Sequence, residues 1–262
     1  MGAQRRRKNV VSAARRSSRD RVPVFIGLAV VLALAAAVAV VVALTARDRS
    51  AQTAQPIPAV TAPPDSVPVT LDRESGTVVA GQEDAPVVIN VYEDFLCPAC
   101  GAFEERYGQD VHERLTNGSL RVRYHLVNLL DQRSDPPGYS LTAANAALGV
   151  ASHEPQAFLD FHTTLMRHMP PEHSRPYNDD QLIDLARRLG VTADAFAAAV
   201  RDRAFADAVR SQLEAARNDP ALKRQSGDGQ SHFGTPTVTH DGRVLDVFAN
   251  QDWLTDLTES LS

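Results

Sequence analysis

Cysteine is almost absent from this chain, with two in 262 residues. That scarcity excludes a scaffold stapled by several disulfides, and without a second pair there are too few thiolates for a four-cysteine zinc site. The chain beyond Arg21 also lacks any excess of positive charge. The formal charge is -5, and the first 21 residues hold eight cations against the single acid Asp20, which leaves -12 for everything that follows. Such a balance argues against a nucleic-acid partner, because cationic side chains on phosphates dominate that kind of binding.

Long apolar runs are lacking too, apart from one at residues 22–46, which is uncharged and rich in Val, Ala and Leu. At about 1.5 Å per helical residue it is long enough to cross a hydrocarbon core of roughly 30 Å. The cationic segment 1–21 (Arg5, Arg6, Arg7, Lys8, Arg15, Arg16, Arg19 and Arg21) precedes it. The positive-inside rule then keeps that tail in the cytoplasm and sends the rest of the chain across. A cleaved signal peptide is the competing reading, but its apolar region is normally about 7 to 15 residues with a small-x-small site after it. An uncleaved single-pass signal anchor in the cell membrane is therefore expected, with the remainder extracytoplasmic. Residues 47–75 contain Pro56, Pro58, Pro63, Pro64 and Pro68 and no sustained periodicity, so they read as an extended tether. Residues 76–262 are then long enough for one domain with a substantial core.

The two cysteines themselves form Cys97-Pro98-Ala99-Cys100, a spacing that random placement would produce roughly once in a hundred times. They follow a β-branched run (Val87, Val88, Ile89, Val91) and open a helical pattern. At a helix start, unpaired backbone N–H groups and the positive end of the macrodipole favour a thiolate over a thiol. Leading thiols in this arrangement fall from about 8.5 to roughly 3.5–7.5. Stabilising that thiolate favours the reduced pair, which makes the disulfide an oxidant. Pro98 suits the first helical position, where its missing N–H costs nothing; Ala99 adds no charge. Two plainer readings compete. An inert structural disulfide would close so short a loop that it would stabilise the fold only weakly. Half a metal site would need further ligands, and His162, His168 and His173, six and five residues apart, do not share a helical face. No metal is expected, and these histidines are read as surface or packing residues.

Periodicity predicts strands at 77–79 and 87–92, a helix over 98–115 ending before Asn117-Gly118, and an alternating strand from Leu120. A largely helical region follows over about 141–218, with helices at 141–152, 155–169, 180–189 and 193–217, the last broken within. Asp241-Gly242 joins two β-prone runs at 237–240 and 244–247 as a hairpin turn, and a helix near 251–261 closes the pattern. The sum is an α/β fold, one mixed sheet flanked by helices with a helical insertion.

That order, with Cys-Pro-Ala-Cys at the first helix and Gly234-Thr235-Pro236-Thr237 before the final hairpin, resembles the thioredoxin superfamily and, within it, the DsbA-like thiol-disulfide oxidoreductases. Phe158-Leu-Asp-Phe-His162 and residues 180–190 are similar to that family's inserted helices. The resemblance implies that Cys97 is an exposed nucleophile, Cys100 its buried resolving partner, and Thr235-Pro236 a cis bond facing them. With Pro98 and Ala99, those two residues would contact an extended substrate. Many members carry a buried acid six residues before the first cysteine; here that position is Val91. Glu93 and Asp94 are the nearby candidates for a proton relay, although strand alternation should not put both on one side. Asp94 has the alternative reading of a helix-entry cap or solvated acid.

The resemblance implies an oxidase that forms disulfides in exported proteins, needs no cofactor of its own, and is reoxidised by a quinone-linked membrane partner of DsbB or vitamin-K-epoxide-reductase-like type. A reductase or isomerase of the same fold is the alternative, although the tether offers no dimerisation module and a monomer is expected. A non-catalytic membrane-anchored binding module that uses the pair as a clasp is another. His232 and Phe233 flank the proline loop and read as packing residues.

Overall fold

The computed structural model describes residues 56–61, 67–225 and 230–259. The cationic segment and the apolar run 22–46 lie outside these. Among the described residues no helix is long and apolar enough to cross a membrane.

The N-terminal edge is an antiparallel pair, β1 (Val69–Asp72) and β2 (Thr77–Ala80). The tether expected over 47–75 is therefore shorter than its composition suggested. Val67 and Val69 are buried, and further upstream Ile57 is 1% exposed. The Arg188 guanidinium donates to the Ile57 carbonyl at 2.7 Å, and the Thr164 hydroxyl accepts from Val60 N–H at 2.9 Å and donates to its carbonyl at 3.2 Å. Proline spacing masked a strap that packs on the helical region.

β3 (Val87–Glu93) is central because Val87, Ile89, Val91 and Glu93 are all buried on one face. It leads into α1 (Pro98–Thr116), then β4 (Leu120–Leu126), which runs parallel to β3 with Val91 opposite Tyr124 and Glu93 opposite Leu126. A right-handed β-α-β crossover is the usual outcome of such a connection. The insertion comprises α2 (Tyr139–His153), α3 (Phe158–Arg167), α4 (Asp179–Arg188), α5 (Asp194–Arg201) and α6 (Ala206–Asn218). Asn178 and Gln181 form a reciprocal capping box at α4. The anticipated break between α5 and α6 falls at Arg203, which takes a left-handed conformation with φ 56°.

A short hairpin not anticipated from sequence, β5 (Arg224–Gln225) with β6 (Ser231–His232), precedes β7 (Thr237–His240) and β8 (Arg243–Leu245). Asp241 and Gly242 make the β7–β8 turn with φ 48° and 74°, which explains Asp-Gly there. The main sheet has the order β1-β2-β4-β3-β7-β8, with only β3–β4 parallel. The closing helix α7 (Trp253–Glu259) packs on α1 through Trp253 against Phe103 and Tyr107. This is the expected mixed sheet with an inserted helical unit.

Candidate active site

Two stretches that are far apart in sequence meet at the C-terminal end of β3. Cys97 is the N-cap of α1, with extended backbone and no side-chain cap, and Pro98 fills the first turn. The Cys97 carbonyl accepts from Cys100 N–H at 2.9 Å and Gly101 N–H at 3.2 Å, which winds the pair into the helix start. Both cysteines are free thiols. From the other side, the loop before β7 presents a cis Thr235-Pro236 bond, and the Cys97 thiol donates to the Thr235 carbonyl at 3.2 Å. The backbone acceptor that could pair with a substrate is thus turned onto the sulfur in this dithiol state.

The two sulfurs differ sharply in environment. The Cys97 thiol is pulled down to about 6, chiefly because the Cys100 thiol donates to it. Burial opposes the shift; the Thr235 side chain and the N–H groups of Cys100 and Ala99 add to it. Thr235 Oγ1 is buried with no other hydrogen-bond partner, so it is free to serve the thiolate. Cys100, with 0% exposure, is pushed well above the ordinary thiol range by burial first, then by its hydrogen bond to Cys97 and by the charges of Cys97 and Glu93. Expected to be exposed, Cys97 in fact retains only 6% exposure, because the Thr235-Pro236 loop leans over it. Pro98 is exposed, Ala99 and Thr235 are half-buried, and Pro236 is buried.

Glu93 and Asp94 depart from the strand-alternation argument, since both are buried, at 1% and 0% exposure. The strand ends at Glu93, so alternation no longer governs Asp94. Its carboxylate turns inward and accepts from Leu96 N–H and Leu130 N–H, both at 2.8 Å. It is neither a solvated acid nor the side-chain cap of α1. Burial raises it to about 7, against its hydrogen bonds, and the Cys97 charge adds to the rise. Glu93 shares the Val91 face of β3, two residues nearer the cysteines than the family position, and its Oε2 lies 2.7 Å from His162 Nε2. His162 is 2% exposed and packs against Phe95, Tyr124 and Phe158, so it is a packing residue and not a surface one, and that reading missed its hydrogen bond to Glu93. Its one sequence signal was its place in the Phe158–His162 pattern. Phe233 is a packing residue, in a cluster with Val127, Leu213, Ala216 and Leu222, while His232 is exposed.

A family profile described as Thioredoxin matches residues 73–257. The serine/threonine-protein kinase PknE of Mycobacterium tuberculosis is 29% identical over 184 residues, 69% of this chain but 31% of that protein. The chain thus spans about a third of the length of that curated relative. The reduced DsbA of M. tuberculosis superposes with a TM-score of 0.57 at 26% identity, covering 69% of this chain and 86% of that one. The thiol-disulfide oxidoreductase MdbA of Corynebacterium diphtheriae does so at 0.55 and 25%, covering 76% and 95%. With the profile spanning most of the chain and the cysteine pair facing a cis proline, this protein belongs to the thioredoxin family, in its DsbA-like thiol-disulfide oxidoreductase group.

Proposed function

We propose that the protein is a membrane-tethered, extracytoplasmic oxidase that donates the Cys97–Cys100 disulfide to newly exported proteins. A substrate thiolate attacks Cys97 Sγ; the Cys97–Cys100 bond breaks, and the Cys100 sulfur leaves with its electron pair and takes a proton. A second thiolate of the same substrate then attacks its own sulfur in the mixed disulfide, and Cys97 departs as a thiolate. The substrate is oxidised by two electrons and the pair is reduced. Thr235, Pro236, Pro98 and Ala99 line the approach, and Glu93 and Asp94 serve proton movement. A quinone-linked partner in the membrane accepts the two electrons and restores the disulfide.

The observation that carries this reading is the contrast between the two thiols: Cys97 is lowered to about 6, while Cys100 is sealed and raised. A low leading pKa favours the reduced pair and so an oxidising potential. Cys100→Ala is expected to trap mixed disulfides with exported proteins, which are lost on Cys97→Ala. Absence of trapping by Cys100→Ala overturns the reading, and a reduction potential near that of thioredoxin, about -270 mV, would reverse its direction.

A further inference from the structure

On the face of β3 turned away from Val91, the sheet and α6 enclose a cavity of about 330 Å³ that the exchange reaction does not use. Tyr92 and its neighbour His125 on β4 form one wall, stacked with ring centroids 4.3 Å apart and planes 11° from parallel. Gln212 and Ala215 of α6 form another, and Glu74 and Asp219 stand exposed at the rim. At the low end of the usual range for ligand pockets, roughly 300–1,000 Å³, the space suits a single side chain.

Its polar wall holds one acceptor too many. Asn90 donates through Nδ2 to Thr239 Oγ1 at 3.3 Å, which leaves its Oδ1 to accept from His125 Nε2 at 3.2 Å. Burial lowers His125 to about 4 against the pull of Gln212, and the Arg123 charge adds to the fall. A neutral imidazole has a single N–H, and Asn90 takes it. Gln212 is 7% exposed and donates through Nε2 to the Gly76 carbonyl at 2.6 Å, so its remaining atom, Oε1, is also an acceptor. That oxygen is buried and has no hydrogen-bond partner. A buried acceptor without a donor is costly, so the site calls for an incoming N–H.

Charge narrows the choice of guest. Two carboxylates, Glu74 and Asp219, stand against one cation, Arg123, which lies two residues before His125 on the same side of β4. A cationic donor fits that balance, and the aromatic wall suits a guanidinium, which is planar, weakly hydrated and packs on aromatic rings. The cavity also abuts the redox loop. Phe233 meets the Tyr92 ring edge-on at 5.8 Å, two residues before Thr235, whose carbonyl faces Cys97.

We propose that this cavity is a docking site for an arginine side chain of the protein being oxidised, which gives Gln212 Oε1 its missing donor and anchors the segment whose cysteine reaches Cys97. The inference rests on the exchange reading for its role, while occupancy of the cavity is tested apart from it.

The first arm uses the full chain in its dithiol form and cysteine-free peptides that differ at one position, Arg or Gln, with binding read from the nuclear magnetic resonance signals of the Gln212 amide and the His125 ring. The Arg peptide is expected to shift both signals and to bind about tenfold more tightly, as one charge-assisted hydrogen bond allows. Gln212→Met keeps the length of the side chain without the acceptor, and Ala215→Phe fills the cavity from the exposed side of α6; each should abolish the preference. Equal binding of the two peptides, or a preference that survives both variants, overturns the proposal. In the second arm the disulfide form oxidises peptides whose arginine is set roughly two to six residues from a cysteine. At one spacing or more, oxidation is expected to be about tenfold faster than for the Gln counterpart, and Ala215→Phe should lose that gain while keeping the rate on the Gln peptide. Binding of arginine with no gain at any spacing overturns the substrate role. A chain that oxidises neither peptide instead sinks the exchange reading, and the preference of the cavity is still read by the first arm.

Discussion

At the scale of single residues, the site is governed by how two acids and two thiols share a small buried volume. Asp94 joins the cysteine turn to the loop after β4 by accepting from Leu96 and Leu130, and its charge opposes a thiolate at Cys97. Asp94→Asn leaves one N–H facing an amide donor, which should cost about 1–3 kcal/mol, and removes the opposing charge. That charge develops only above about 7, after Cys97 has ionised at about 6, so the Cys97 thiol is expected to stay at about 6 in this variant, as read by ultraviolet titration of the thiolate; a clear fall would show that Asp94 is already ionised there. The stability cost carries a pH signature. The folded Asp94 value is raised from 3.8 to about 7, so the wild type is penalised progressively as pH rises through that window. Urea titration should therefore find the substitution less costly above that window than below it. Cys97, Pro98 and Cys100 were placed from their spacing at a strand-to-helix junction, and Pro236 only from the resemblance to the DsbA-like proteins. The Glu93–His162 pair was not legible, because its members are 69 residues apart and meet only when α3 packs across β3.

Among the elements, the strap at residues 56–61 and β1 show how composition misleads. Five prolines within 47–75 suggested a tether, yet an edge strand tolerates Pro68 beside it, and β1 needs only the partner β2 to form. Gly81 permits the approach, with φ 107° and a hypothetical Cβ at 2.5 Å from the Leu120 carbonyl. Upstream, Ile57 is buried to 1% exposure and held by Arg188 and, through Val60, by Thr164. Ile57→Ala is expected to destabilise the domain by about 2–5 kcal/mol through the cavity it leaves, seen as a lowered Tm. A Tm unchanged from wild type would mean that the strap is not part of the folded unit. The helices of the insertion were legible because their apolar faces repeat at helical spacing. The β5–β6 hairpin, with two residues in each strand, is too short to show any period.

For the whole molecule, redox state and stability are linked. In the dithiol form the folded Cys97 value is depressed to about 6, against roughly 8.5 in an unfolded chain. That contribution is fully present above the unfolded value and is lost as pH falls through about 6. The raised Cys100 value opposes it only at the alkaline end, where an unfolded thiol would ionise. The disulfide form has neither titration. Urea unfolding of both forms should show the dithiol gaining on the disulfide between about pH 6 and 8.5, and parallel pH profiles would contradict a stabilised Cys97 thiolate. By itself the sequence determined what is local: a cysteine pair at a strand-to-helix junction, strand and helix periods, and the Asp-Gly turn. These follow from backbone propensity and hydrogen bonding within a few residues. Only the tertiary structure decided that the Thr235 carbonyl, 138 residues away, faces Cys97, that Cys97 is mostly covered, and that His162 lies within hydrogen-bond distance of Glu93. Each of these depends on burial, which strips water from groups that chain packing alone brings together.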